Sequence, residues 1–234
     1  MKKTNIFKAV ITILIITLFS GPVFADLNAP ETRYYTNKEL AKTSTTNIEL
    51  QGSMFHIAKL KYWLNSIATV PIGKETLLAI FKTGHLLRII STPDARFSAG
   101  RTLAPMTEKI INGTGDNVEI WFDASMTEAG SHLVFNTNRK PVEYTAVQNL
   151  FHELVHAKHK MLGTWLYFDS EGQAIREENI FRLQQSQLAG TKPTERTYKT
   201  GRLRDTVAQL GDTNCSITYQ IRINPPIAIT QPCQ

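Results

Sequence analysis

The apolar positions of the chain fall into a few distinct periods. From Ser53 onward, Met54, Ile57, Ala58, Leu60, Trp63, Leu64 and Ile67 recur at three- and four-residue steps, the repeat of one helical face. Pro71-Ile72-Gly73 interrupts it, and Lys74 to Phe81 reads as a second helix. His85 to Ser91 is a short apolar segment that suits helix or strand equally. In NGTGDNVEIWFD the period changes to two: Val118, Ile120 and Phe122 alternate with polar neighbours after a Gly-Asp-Asn turn. That alternation predicts a half-buried strand, with Ser131 to Asn136 as its partner in a hairpin over 117–136. Pro141 opens PVEYTAVQNLFHELVHAKHKML, where Val147, Leu150, Phe151, Leu154 and Val155 restore the helical repeat. A further long helix is expected from Ser170, a capping-type residue, to about Leu188, with Glu171 in its first turn.

The remaining stretches lack such periods. Residues 26–50 are polar and aperiodic, an irregular lead-in. Lys192 to Arg204 reads as a basic loop, and Ser216 to Ile223 as a β-rich tail ending in proline-rich coil. The chain contains no internal repeat and no low-complexity tract. Together these elements predict an α+β fold with a central helix, a small mixed sheet and a hairpin, in one domain over 51–234.

Composition then changes the picture at both ends. The 234 residues, 42% hydrophobic and 20% charged, suit a globular domain with a sizeable core. Residues 1–25 stand apart: Lys2, Lys3 and Lys8 precede an apolar run from Ala9 to Phe19, and Gly21-Pro22-Val23-Phe24-Ala25 follows with small residues. This is the pattern of a secretory signal peptide cleaved after Ala25, and the run is little more than half the ~20 residues of a membrane span. Those three lysines lie there and no acid does, so the formal net charge falls from +6 to +3 on cleavage. With the basic excess mostly in the signal, no nucleic-acid partner and no membrane partner after cleavage are expected. The two cysteines, Cys215 and Cys233, both lie near the C-terminus. In an exported protein they are expected to form a disulfide that closes the tail, with free thiols or a link to another chain as the alternatives.

The candidate chemistry sits in the central helix, in LFHELVHAKHKMLG. Residues four apart share a helical face with Cβ atoms about 5–6 Å apart, so His152 and His156 can both present neutral imidazoles to one Zn2+ ion. Glu153 follows His152 and points around the helix toward the open side of such an ion, where it can take a proton from a water that the metal acidifies. A helix with two solvent-facing histidines and a surface acid is the alternative. The flanking Leu150, Phe151, Leu154 and Val155 argue against it, because they bury the segment and its polar groups then need partners. A catalytic site wants three protein ligands and an open position. His156 is followed by Ala157, Lys158 and His159, not by the His-x-x-Gly-x-x-His continuation of the metzincins. A downstream carboxylate is therefore expected as third ligand. The candidates are Glu171, Glu177 and Glu178, with Asp169 and Asp205 behind them; Glu171 is preferred over Glu178, which is a ligand or the hydrogen-bond partner of one. His159 is expected to line the cleft or bind a supporting acid.

NVEIWFD before the helix, LFHELVHAKHKMLG on it, SEGQAI after it, and EENIFR followed by ERTY together resemble the NleD-type effector and toxin zinc metallopeptidases of bacteria. The likeness spans roughly Leu86 to Tyr198. Over HELVHAKHKMLG alone the chain is also similar to the light chains of the clostridial neurotoxins. The resemblance implies a zincin-like metalloprotease domain, zinc ligands at His152 and His156, the catalytic base at Glu153, and support for Glu171 as third ligand. Glu178, Asn179 and Arg182 fall on the family's Glu-Asn-x-x-Arg segment. The neurotoxin pattern has an Arg-x-x-Tyr pair that stabilises the developing oxyanion. Arg196-Thr197-Tyr198 is one residue short of it, so Arg196 and Tyr198 are candidate catalytic residues with a solvated basic loop as the alternative.

What such relatives do implies a narrow endopeptidase that cuts a host signalling protein. A signal peptide fits a secreted toxin better than a protein injected by a needle complex. A chain this short has little room for delivery domains, so either a partner subunit delivers it or it acts outside cells or in the periplasm. The hairpin over 117–136 is expected to lie beside the cleft and to pair with extended substrate. The competing function is a secreted, non-enzymatic binding module whose zinc is structural, with His159 a candidate fourth ligand, or whose helix is metal-free.

Overall fold

The computed structural model describes residues 30–36, 47–92, 100–129, 132–136 and 141–196, and the backbone of 216–221 and 227–232. The signal segment, Tyr198, Asp205, Cys215 and Cys233 lie outside the described residues. Within them the fold is α+β: a five-stranded mixed sheet, two two-stranded sheets and four helices.

The sheet is built on three parallel strands, β2 (Ile48–Gly52), β3 (Leu87–Ser91) and β5 (Val118–Phe122). Ile48, Leu50, Leu87, Ile89, Ile120 and Phe122 are fully buried on them. Antiparallel strands close both edges, β1 (Glu31–Tyr34) beside β2 and β4 (Gly100–Leu103) beside β5, in the order β1-β2-β3-β5-β4. Two expectations are corrected here. The lead-in over 26–50 is not irregular throughout: Ile48 and Leu50 start a sheet strand, and residues 31–34 pair with it. Four- and five-residue strands are too short to leave a periodic signature. Val118–Phe122 also pairs with β3 and β4, so the hairpin over 117–136 does not form. Instead β6 (His132–Phe135) pairs antiparallel with β7 (Pro141–Tyr144) in a sheet of its own. Alternation marks a strand without naming its partner.

Helix α1 (Met54–Thr69) starts where Ser53 caps it, its hydroxyl accepting from the His56 amide at 3.2 Å. It buries Ile57, Leu60, Trp63, Leu64 and Ile67. Pro71, read as an interruption, is the first residue of α2 (Pro71–Thr83), where its missing amide proton costs nothing. Helix α3 (Ala146–Leu162) begins five residues after Pro141, because Pro141–Tyr144 is taken by β7 and Thr145 closes a capping box with Gln148. It packs on α1, α2, α4 and strands β4 and β5, and nearly all of it is buried. Gly163 ends it in the left-handed conformation, φ 70°, with the Gly113 amide 2.5 Å from where a Cβ would stand. Helix α4 (Ser170–Ala189) agrees with its expected span, although Asp169 and not Ser170 is its cap residue. Phe151 of α3 stacks on Phe181 of α4 with ring centroids 4.3 Å apart, a pair that contributes about 0.5–1.5 kcal/mol beyond its buried area.

The tail forms β8 (Ser216–Ile221) and β9 (Ile227–Pro232), antiparallel, so the expected terminal coil is a strand. Their register opposes Ser216 to Pro232, the residues next in sequence to the two cysteines.

Candidate metal centre

Helical spacing does at this site what it must. His152 and His156 lie on one face of α3, and Glu171 approaches them from the first turn of α4. One ligand atom from each lies within 4.8 Å of the others, so the three form a group that could hold a metal ion. The two Nε2 atoms are 3.2 Å apart, and Glu171 brings Oε2 to 3.4 Å from His152 and Oε1 to 3.2 Å from His156. Zn–N distances of 2.0–2.1 Å at tetrahedral angles imply ligand separations of roughly 3.3 Å, so this donor set fits a small tetrahedral ion. The Glu171 side chain is 44% exposed whereas those of the histidines are 5% and 9%. The group is therefore sealed on the protein side and open on the other.

Behind His152 stands Glu178. Its Oε2 is 3.0 Å from His152 Nδ1, an arrangement that keeps a ring proton on Nδ1 and turns Nε2 toward the group. Arg182 Nε donates to Glu178 Oε1 at 2.7 Å, and Arg196 Nη1 donates to Oε2. Arg196 Nη1 also lies 3.1 Å from His152 Nδ1; with the ring proton there, both are donors that share one carboxylate oxygen. Asn179 holds Arg196 in place by exchanging hydrogen bonds with its backbone amide and carbonyl, at 2.8 and 2.9 Å. Tyr144 offers its ring to both guanidiniums and accepts from Arg196 at 3.3 Å.

The electrostatics follow from this pairing. Burial alone would lower His152, but hydrogen bonds to Glu171 and Glu178 outweigh it and raise the imidazole to about 9. Burial would raise Glu178, yet the charge of Arg196 and the bonds from His152 and Arg182 hold it at about 2. Glu171 is likewise driven well below the usual carboxylate range: burial opposes this, and hydrogen bonds from the two histidines prevail. The centre thus draws positive charge onto its nitrogens, the same field that favours a divalent cation.

Glu153, the candidate base, lies 7% exposed beneath strand β4. Its Oε2 accepts from the Thr102 hydroxyl at 2.6 Å. His159 faces elsewhere: its ring contacts Glu177 at 2.7 Å and Thr164 at 2.8 Å. Glu177 also pairs with Lys158, and Asp169 with Arg176. The group therefore includes Glu171, while Glu178 backs His152 and Glu177, Asp169 and His159 are paired elsewhere. The strand that borders the base is the sheet-edge strand β4, where the sequence pointed to a hairpin over 117–136. Tyr144, Thr102 and Lys160 carry roles that no motif announced. Lys160 alone left a signal, lying four residues beyond His156 on the same face. Compared with known proteins, the chain matches no family model and no curated protein.

Proposed function

We propose that the protein is a secreted zinc-dependent endopeptidase of zincin-like architecture. The observation that carries this reading is the convergence of His152, His156 and Glu171 on one point with one side open, Glu153 being the residue next to His152 on α3. Zinc in such a set lowers the pKa of water and polarises a carbonyl. His152, His156 and Glu171 would hold it, and Glu178 would keep the His152 ring oriented for it. Glu153 accepts the proton of the attacking water and delivers it to the leaving amine. Arg196, whose guanidinium is tied to Glu178 behind His152, and Tyr198 are the pair that the neurotoxin likeness would assign to the developing oxyanion.

A structural zinc would call for four closed protein ligands. Glu171 is half exposed, and His159 is engaged by Glu177 and Thr164, so among the described residues His159 does not close a fourth position. The substrate proposed is one specific protein, a host signalling protein, reached through a delivery subunit or met outside cells or in the periplasm. A disulfide between Cys215 and Cys233, as an exported protein would form, is part of the same proposal. The experiment is a survey of new protein N-termini in host-cell lysate treated with the zinc-loaded protein or its Glu153→Gln variant. Cuts present with the first and missing with the second support the proposal; identical profiles overturn it.

A further inference from the structure

The candidate base Glu153 has a hydroxyl neighbour on strand β4. We propose that Thr102 is the positioning residue for Glu153, held over it by Lys160 and by the bare backbone at Gly100; this rests on the metallopeptidase reading above. Among the described residues the Thr102 hydroxyl is the hydrogen-bond partner of the Glu153 carboxylate, at 2.6 Å from Oε2, and the same hydroxyl lies 3.0 Å from the Glu153 carbonyl oxygen. A hydroxyl has one proton, free to rotate, and two lone pairs, so it serves one of these oxygens at a time. Pointing at Oε2, it ties the Glu153 carboxylate to strand β4.

Two further contacts fix the height of the strand over the helix. Lys160 is 7% exposed, and its Nζ donates to the Thr102 carbonyl at 2.8 Å while lying 4.9 Å over the Trp165 ring. It therefore grips the strand backbone and leaves the Glu153 carboxylate to the hydroxyl. At Gly100 a Cβ would stand 2.7 Å from Glu153 Cγ and 3.0 Å from a ring carbon of Phe122. Any side chain there would push the base aside. Strand β4 thus meets α3 at three points around one carboxylate.

The test compares Thr102→Val and Thr102→Ser with wild type, all zinc-loaded, on the best-cleaved member of a library of internally quenched peptides. Loss of a hydrogen bond to a charged group predicts a kcat about 10- to 100-fold lower for Thr102→Val, at unchanged KM and with metal content kept. Thr102→Ser should recover most of that loss. A second readout needs no activity: in a crystal structure of Thr102→Val, the Glu153 carboxylate should leave its wild-type rotamer. Wild-type kcat in Thr102→Val, equal losses in the valine and serine variants, or an unmoved carboxylate would each overturn the proposal. If wild type cleaves no peptide, the peptidase reading falls, and the rotamer still decides whether Thr102 positions Glu153.

Discussion

Two glutamates one helix apart are held in opposite ways. Glu178 is fully buried, and Arg182, Arg196 and the His152 ring occupy its two oxygens. Glu153 is nearly as buried, but its partner is one neutral hydroxyl. A carboxylate enclosed by guanidiniums is a permanent anion, fit to fix a ligand and unfit to trade protons. A carboxylate met by a hydroxyl is held by a neutral hydrogen bond alone. Burial therefore does not tell these two acids apart; the charge of their partners does.

The largest expected effect falls on Glu153. Glu153→Gln should retain fold and metal yet lose about 10²–10⁴-fold in hydrolysis rate, measured as turnover of a cleaved peptide. Glu178→Ala should instead act on stability, because it strands two buried guanidiniums; a loss of about 3–5 kcal/mol is expected in denaturant unfolding. Glu178→Gln should weaken metal binding about 10–100-fold, read by competition with a chelator. Glu171→Ala should weaken it more than Glu178→Ala does, and the reverse ranking would move the ligand role to Glu178. The smallest effect is in the acid limb. Glu178 is held at about 2, below its ordinary value of 4.5, so its contribution is complete above pH ~4.5 and disappears as pH falls toward 2. In the metal-free protein, Glu178→Gln should flatten the fall in melting temperature across that window. A parallel fall in variant and wild type would show that its charge pairing does not support the fold.

How much could be read in advance follows the same division between local and distant. His152, Glu153 and His156 are legible because helix geometry fixes their relation whatever surrounds them. Glu171 is legible because it opens the next helix in a segment of small residues. The start of α3 is less legible, since Val142-Glu143-Tyr144 suits strand and helix alike until the Thr145 cap is weighed. The partner of Val118–Phe122 and the strands inside 26–50 depend on pairings made across the sheet, which short segments do not encode. Thr102 escaped notice for that reason: a lone threonine on a four-residue edge strand looks like any other until the strand is laid over α3.

The spacing of these parts along the chain also sets an order in time. The three residues of the metal group fall within two consecutive helices joined by the 163–169 loop, and closing so short a loop costs little chain entropy. The base and its hydroxyl are 51 positions apart and meet only when a sheet edge docks. Contacts of short range form early and those of long range late. The folding chain should therefore be competent to capture metal before Glu153 is in place, and a freshly loaded molecule would hold its ion while still unable to cut its neighbours. Stopped-flow metal uptake that precedes the recovery of peptidase activity during refolding would reveal that interval.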